Sequence, residues 1–393
     1  INTVIIYKSH FRLMRGIKVT QVRQINIHLT IFKQCSCTLK IHGKIYTSTQ
    51  IFVFKTQFLE CLYKIHSATL HIFLKSMYNV EGERHVAGST VYIILFGLAF
   101  KNSYSFESRS ALYIGKSDIS NNLNINITCI VANSIFYNNT SQASGGAICI
   151  WNIRHIIINQ SIFVKNHAAN GGAIYGINWT VLVLFDCVFI LNEADLDGGG
   201  LYVRQSMGES GLDVMHGKVC IIHSSFINGT ARNGAAFYID GCQSLYIFNS
   251  NIINNNVTDE GGGGFIEAVK RSIVQNCVFY GNIGYGDGGL SVFKGNSTNI
   301  RNCSFMHNSV IKYGGGATFH QVFSASIRNC LFMYNKATTE GGNIYSDDLF
   351  NISIDNSKLI GGKADEGAGF LGYMITILCI YNCHISNNSA EYR

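Results

Sequence analysis

Acidic and imidazole side chains that could act together in acid–base chemistry gather at one irregular stretch of this chain. An insertion of about ten residues in 205–218 contains Glu209, Asp213 and His216, and Asp195 and Asp197 precede it. Two or three carboxylates with a basic residue are what acid–base cleavage of a glycosidic bond requires. The stretch is therefore a candidate site for carbohydrate chemistry, and a tolerated surface insertion is the competing interpretation, which we favour.

Outside that stretch we expect the acids to be scattered. Asp347 and Asp348 are adjacent in sequence, so their side chains should diverge on a strand. The segment 285–289, Tyr-Gly-Asp-Gly-Gly, resembles part of a calcium-binding nonapeptide repeat, but it occurs once and calcium binding there needs an array. We therefore predict no catalytic, cofactor-binding or metal-binding residues, and no cofactor.

The chain has thirteen cysteines, and three of them, Cys277, Cys303 and Cys330, are spaced as one column of a repeat. Parallel side chains on neighbouring strands lie about 4.8 Å apart, beyond the Cβ separation usual in a disulfide. We therefore predict buried thiols. Cys35 and Cys37 are too close in sequence for the usual spacing of zinc ligands.

The elements that would position these side chains come from a repeat of 26 or 27 residues, broken once by a spacing of 37. Each unit has an apolar anchor, with an aliphatic residue five positions before it and Ser or Cys two positions before it. The anchors are Phe136, Phe163, Phe189, Phe226, Ile252, Phe279, Phe305, Phe332, Leu359 and Ile385. Side chains two apart on a strand share a face, so the anchor and the Ser or Cys should point inward.

A second column, three residues before the anchor, is rich in Asn. It comprises Asn133, Gln160, Asp186, His223, Asn249, Asn276, Asn302, Asn329, Asn356 and Asn382. A tight turn there needs a residue that tolerates left-handed backbone geometry, and stacked Asn side chains can pair along the axis. Glycine pairs such as Gly145-Gly146 and Gly171-Gly172 mark the next turn.

One unit of this length cannot bury its apolar face alone, so the units must stack. Short runs such as 303–306, 317–321 and 325–328 read as strands. The sequence predicts an all-β fold, a right-handed parallel β-helix with three short strands per coil of about 26–27 residues. We expect an irregular part, made of degenerate coils, in residues 1–130, and about ten regular coils in 131–393 with the insertion near 205–218.

The paired phrase Phe-x-x-Asn and Gly-Gly-Ala-Ile, at 136–139 with 145–148 and at 163–166 with 171–174, resembles the repeats of chlamydial polymorphic outer membrane proteins. The resemblance covers about residues 131–393. It implies a pectin-lyase-like superfold and a surface-displayed, adhesin-like passenger.

Composition limits the other function classes. Only 13% of residues are charged, and the net charge of +7 divides into +10 for residues 1–110 (14 Lys and Arg, 4 Glu) and −3 for 111–393 (16 against 19). The basic part could attract polyanions or simply form a solvated face, and we favour the solvated face and expect no nucleic-acid partner. The apolar runs 91–100 and 370–381 are too short to span a bilayer, so membrane association is expected only through segments outside these residues.

We expect an extracellular or cell-surface protein, read as a fragment without a visible signal peptide, that acts in adhesion and is not an enzyme. Its partner would be a host-cell surface protein or a glycan. The alternatives are a carbohydrate-active enzyme (a polysaccharide lyase or hydrolase) and a purely structural spacer. Eleven Asn-x-Ser/Thr sequons are present, and Asn302 among them is expected in an internal ladder.

Overall fold

The computed structural model describes residues 92–104, 110–115, 127–205 and 217–391 with their side chains, and elsewhere only the backbones of the strands given below. All its regular elements are β-strands, and every strand pair is parallel. Residue contacts divide the chain into two compact units, Ile1–Cys187 and Val188–Arg393.

The structure describes twenty strands in the first unit. They are β1 (Thr3–Tyr7), β2 (His10–Arg12), β3 (Gly16–Thr20), β4 (Gln24–His28), β5 (Ile31–Lys33), β6 (Thr38–Lys44), β7 (Ser48–Phe54), β8 (Gln57–Leu59), β9 (Thr69–Lys75), β10 (Thr90–Phe96), β11 (Ala99–Lys101), β12 (Tyr104–Ser105), β13 (Leu112–Lys116), β14 (Asn126–Ala132), β15 (Ile135–Tyr137), β16 (Thr140–Ser141), β17 (Ile148–Asn159), β18 (Ile162–Val164), β19 (His167–Ala168) and β20 (Ile174–Phe185).

The second unit contains the remaining strands. They are β21 (Val188–Ile190), β22 (Glu193–Ala194), β23 (Leu201–Arg204), β24 (Lys218–Ile222), β25 (Ser225–Ile227), β26 (Thr230–Ala231), β27 (Phe237–Asp240), β28 (Ser244–Phe248), β29 (Asn251–Ile253), β30 (Asn256–Val257), β31 (Gly264–Glu267), β32 (Arg271–Gln275), β33 (Val278–Tyr280), β34 (Ile283–Gly284), β35 (Leu290–Phe293), β36 (Ser297–Arg301), β37 (Ser304–Met306), β38 (Ser309–Val310), β39 (Ala317–His320), β40 (Ser324–Arg328), β41 (Leu331–Met333), β42 (Lys336–Ala337), β43 (Ile344–Asp355), β44 (Lys358–Ile360), β45 (Lys363–Ala364), β46 (Phe370–Tyr381), β47 (His384–Ser386) and β48 (Ser389–Ala390).

Each regular coil contributes to three parallel sheets, which confirms the predicted β-helix. The anchor strand, such as β37, belongs to the second sheet, and a two-residue strand such as β38 belongs to the third. The strand of the first sheet is continuous over twelve residues in β17, β20, β43 and β46. In the other coils a turn divides it into two, as between β39 and β40. The domain boundary expected at residue 130 stays a prediction.

The anchor column forms the core, as predicted, except at Ile385, which is 49% exposed. Within the second unit the rings of Phe279, Phe305 and Phe332 stack with successive centroid distances of 4.6 Å and are fully buried. In the first unit the rings of Phe136 and Phe163 stack at 5.0 Å. Burying such a side chain contributes roughly 1.5–3 kcal/mol, so the stack is a main source of stability.

The Ser or Cys column is buried too, and its side chains relay hydrogen bonds between coils. The Ser250 hydroxyl donates to the carbonyl of Phe248 at 2.8 Å and accepts the backbone N–H of Ser224 at 3.2 Å. The Cys303 sulfur likewise accepts the N–H of Cys277 at 3.4 Å. The position therefore requires a short side chain that both donates and accepts, and all ten described cysteines are free thiols.

The Asn-rich turn column has left-handed backbone geometry throughout, as predicted, with φ of 55° at Asn276 and 53° at Asn302. Its side chains pair along the axis: Asn302 donates to Asn276 at 3.2 Å and Asn329 donates to Asn302 at 3.2 Å. The expectation that Asn302 is internal was wrong, because this ladder lies on the surface. The turn faces outward, since the chain bends there from one sheet to the next around the apolar interior.

The internal ladder is a different column, the Asn three residues after the anchor. The side-chain amide of Asn282 donates to the carbonyls of Ile252 at 3.0 Å and of the Asn308 side chain at 2.9 Å. Its own oxygen accepts both the backbone N–H and the side-chain amide of Asn255, each at 3.0 Å. Asn139, one of the sequons, occupies this column in the first unit and is fully buried. This column satisfies the backbone where the chain bends between sheets.

We predict that Asn282→Leu destabilises the protein. The change strands the Asn255 N–H and the Ile252 carbonyl in the interior, and about 1–3 kcal/mol is lost for each buried group left unsatisfied. A loss of about 2–5 kcal/mol is therefore expected in urea unfolding followed by circular dichroism.

Asn302→Gly is the matched control, because glycine keeps the left-handed turn and only exposed hydrogen bonds are lost. It should cost less than about 1 kcal/mol. Equal losses for the two variants would contradict the role assigned to the buried ladder.

Candidate functional site

Most of the insertion, residues 206–216, lies outside the described residues. Three of the site residues considered from the sequence lie there: Glu209, Asp213 and His216. Asp197, which precedes the insertion, is described in the second unit. Its carboxylate pairs with Arg232 at 3.4 Å and accepts a hydrogen bond from the side-chain amide of Asn233 at 2.8 Å.

The expectation of scattered acids was wrong, because coil stacking aligns many of them in two columns of the second unit. One column precedes the turn glycines, and the other ends a strand of the first sheet. We call these two columns together the acidic face. Its acids are Asp197, Glu260, Asp287, Glu340 and Glu366 in the turn column, and Asp240, Glu267 and Asp347 in the strand column.

Between the two columns runs a row of residues from the same strands that alternate with the core positions and, apart from the half-buried Tyr238, are themselves buried. Rings occupy it in one stretch, where Tyr202, Tyr238 and Phe265 stack with centroid distances of 5.3 and 4.9 Å. The next two positions in register are Ser291 and Thr318, and Tyr345 follows them. The row of rings is therefore interrupted by two small hydroxyl residues.

A cavity of about 240 Å³ lies beside this interruption. It is lined by Asp259, Glu260, Phe265, Gly286, Ser291, Phe293, Lys312, Tyr313 and His320. Because Ser291 takes the place of a ring, the space between the two acid columns stays open, and the carboxylates flank a concave aromatic-walled site.

Asp287 lies under this cavity, and its side chain is only 3% exposed. The Ser291 hydroxyl donates to its Oδ2 at 2.7 Å, whereas its Oδ1 is buried and has no hydrogen-bond partner. Burial raises the pKa of Asp287 to about 6, although the hydroxyls of Ser291 and Thr318 and the charge of Lys312 oppose the rise. The site thus holds a carboxylate whose charge is incompletely compensated.

His320 links two acids of the face. Its Nε2 lies 4.0 Å from Asp287 Oδ1, and its Nδ1 lies 3.8 Å from Asp347 Oδ2. Burial lowers the pKa of His320, although Asp347 and Glu260 favour its charged form. The imidazole is therefore mostly neutral at pH 7 and does not neutralise the carboxylates around it.

The acids raise one another's pKa values along the face. Partial burial raises the pKa of Glu260, and the charges of Asp287 and Asp259 raise it further. The pKa of Asp240 rises to about 6 through burial and the charge of Glu267, although Arg204 pairs with it at 3.1 Å. Negative charge on this face is therefore in excess.

Asp347 and Asp348 lie at different places, as predicted for neighbours on a strand. Asp347 faces His320, whereas Asp348 lines a second concavity of about 450 Å³. There the exposed rings of Phe323 and Phe350 stack at 4.9 Å near the sequon residue Asn296.

Two further features of the described residues bear on function: groups that could bind a metal ion and helices that could span a membrane. Among the described residues, no group of three or more His, Cys, Asp or Glu is arranged to hold a metal ion. The described ranges also contain no helix with the length and hydropathy needed to cross a bilayer.

Two family models match parts of the chain. Residues 197–359 match the right-handed beta helix region, and residues 133–150 and 160–177 match the Chlamydia polymorphic membrane protein repeat. Both matches confirm the resemblance predicted from the motifs, and the first confirms the hand of the helix. No curated protein matches the sequence.

Among solved structures, a double mutant of the periplasmic alginate epimerase AlgG is similar with a TM-score of 0.43 and 9% identity. The match covers 94% of this chain and 77% of that one.

We predict that Asp287→Asn changes the pH dependence of stability. A carboxyl group whose pKa rises on folding binds its proton more tightly in the folded chain than in the unfolded one. Burial of the Asp287 carboxyl therefore costs no folding free energy below its ordinary pKa of 3.8, and the full cost is present above about pH 6. Wild type should therefore lose stability between pH 4 and pH 7, and the variant should lose less, by up to about 3 kcal/mol.

Urea unfolding at pH 4 and pH 7 measures this difference. Asp348→Asn, which removes an exposed carboxylate with the same charge change, is the control and should follow wild type. Identical pH profiles for wild type and Asp287→Asn would show that Asp287 carries no such cost.

Proposed function

We propose that this right-handed β-helix protein, whose repeats are of the polymorphic membrane protein type, is displayed at a cell surface and acts there in adhesion. The observation that supports the proposal most is the alignment of acids along one side of the second unit. A partner would contact this acidic face, and the regular coils would serve as the rigid support for it.

The like charges of the acidic face indicate that its role is to bind a partner. Folding gains nothing from a column of like charges, since like charges in register destabilise a sheet. Burial raises the pKa values of Asp240 and Glu260, and the charges of neighbouring acids raise them further. A partner with positive charge would relieve the repulsion and would be attracted over a distance set by the ionic strength.

The fold itself does not separate adhesion from catalysis, because right-handed β-helices serve both. Adhesion is favoured by the extent of the face, whose acids recur over several coils from Asp197 to Glu366, with Asn233 and Tyr313 at two positions of the turn column between them. An extended row of charges suits an extended or repeated partner on a host-cell surface, a protein or a glycan.

The test is binding of the purified, fluorescently labelled full chain to host cells. We expect a triple variant, Asp240→Asn, Glu260→Gln and Glu267→Gln, to bind roughly tenfold more weakly, which corresponds to about 1.4 kcal/mol. Binding of wild type should also weaken as salt is raised, because the attraction is screened.

The control removes the same number of charges elsewhere in the second unit through Glu193→Gln, Asp348→Asn and Asp355→Asn. It should bind as wild type does. The proposal fails if the wild-type chain binds no host cell, or if the two triple variants lose binding equally.

The second candidate function is carbohydrate-active catalysis at the same cavity, and Asp287 is the observation that favours it. A carboxylic acid whose pKa is about 6 can hold a proton near neutral pH and act as a general acid, with Glu260 as the second carboxylate. New reducing ends or unsaturated products from a polysaccharide panel, abolished by Asp287→Asn, would support it. Binding to host cells with no product from any polysaccharide of the panel would argue against catalysis.

A further inference from the structure

The cavity beneath the acidic face has walls of two kinds. Rings line it through Phe265, Phe293 and Tyr313, and the carboxylates of Asp259 and Glu260 line its rim. Its volume of about 240 Å³ is below the roughly 300 Å³ at which sites for drug-sized ligands begin. The space therefore suits a single small group.

The charge of the site calls for a cation. Asp259 and Glu260 in the lining and Asp287 behind it, next to His320, give three negative charges. Lys312 gives one positive charge and Lys294, which lies over the Phe293 ring at 4.6 Å, gives another, which leaves −1 when His320 is neutral. The Lys312 ammonium lies over the ring of Tyr285, 4.8 Å from its centroid. Its charge is thus engaged at one side of the cavity.

Asp287 gives an independent indication of a missing partner. Its Oδ1 is buried, has no hydrogen-bond partner, and faces His320 Nε2 on the cavity wall across 4.0 Å, beyond hydrogen-bond distance. Burying an anionic oxygen without a partner is costly. A cation in the cavity would offset that cost by its charge.

We propose that the cavity between Glu260, Phe293 and His320 binds an alkylammonium group. Ring faces attract organic cations through their quadrupole, and carboxylates at the rim complement the charge. A bare metal ion would instead need a shell of oxygen ligands, for which aromatic walls offer nothing. This proposal deepens the proposed adhesion, on which it rests, because it names the chemistry that the acidic face would recognise.

An alkylammonium group occurs in lysine side chains, in amino sugars and in choline headgroups, and the test separates these sources. The purified full chain is titrated with N-acetyl-lysine amide, glucosamine and choline, and binding is followed by calorimetry and by the NMR signals of the rings. We expect at least one of them to bind with a Kd of about 1 mM or tighter. The neutral analogues, acetylated at the amine for the lysine and glucosamine probes and 3,3-dimethylbutan-1-ol for choline, should bind at least tenfold more weakly.

Two variants locate the site. Glu260→Gln and Phe293→Leu should each weaken binding of the amine severalfold, whereas Asp348→Asn should leave it unchanged. Circular dichroism shows whether each variant is folded, and the conservative Phe293→Tyr, which keeps a ring face, should restore binding relative to Phe293→Leu.

Binding should weaken between pH 7 and pH 5. Asp287, whose pKa burial raises to about 6, takes up a proton there, in surroundings that contain Asp259, Glu260, Lys294, Lys312, His320 and Asp347. Gain of charge on His320 acts in the same direction, since it repels the ligand.

The proposal is overturned if no amine binds, if the neutral analogues bind equally well, or if calcium chloride binds and the amines do not. Because purified protein and small cations are used, these outcomes leave cell adhesion untouched. Loss of cell binding with intact amine binding would instead overturn adhesion alone.

Discussion

The hydrogen bonds that join each coil to the next are the constraint on which the rest of the structure depends. Every backbone group in the bends must find a partner in a neighbouring coil, because the interior offers no water. Asn282 meets this need by accepting two bonds from Asn255 and donating to Ile252. A slip of one coil against another would break these bonds and turn the anchor rings outward. The buried amides therefore fix the register in which all other columns align.

Fixed register also explains how a functional surface can arise from a repeat. Any side chain that recurs at one position is placed next to its copies, so rings stack and charges repel. The anchor column uses this proximity for packing, as in the stacked rings of Phe305 and Phe332. The acidic face has the opposite energetics, since burial and neighbouring acids together keep the pKa values of Asp240 and Glu260 raised. Where Ser291 replaces a ring, the same register opens a cavity, so the site is made by an exception within the repeat.

The core columns could be predicted from the sequence because they lie close to the anchor on one strand. Their spacing from the anchor is constant. The Asn turn column, with its left-handed φ, could be predicted in the same way because it always lies three residues before the anchor. The acidic face was missed because it lies farther away, across turns of variable length: Asp287 is eight residues after Phe279, whereas Glu366 is seven after Leu359. Alignment of the coils on the turn glycines would have placed the acids in one column. The buried role of Asn139 and its equivalents was visible only as the motif Phe-x-x-Asn.

The buried charge of Asp287 has no role in the stability of the fold, so it points to a function. Most side chains of the described coils have a clear role in stability, and a neutral residue at this position would avoid the cost of a buried carboxylate. The register does not require the charge, since Tyr313 occupies the next position of the same column. An unsatisfied buried group in a native structure calls for an explanation outside packing. Its place beneath a cavity walled by rings and acids supplies one, because a bound cation would compensate the charge. The coils account for the fold, and the departures from their pattern at Ser291 and Asp287 are where a ligand would bind.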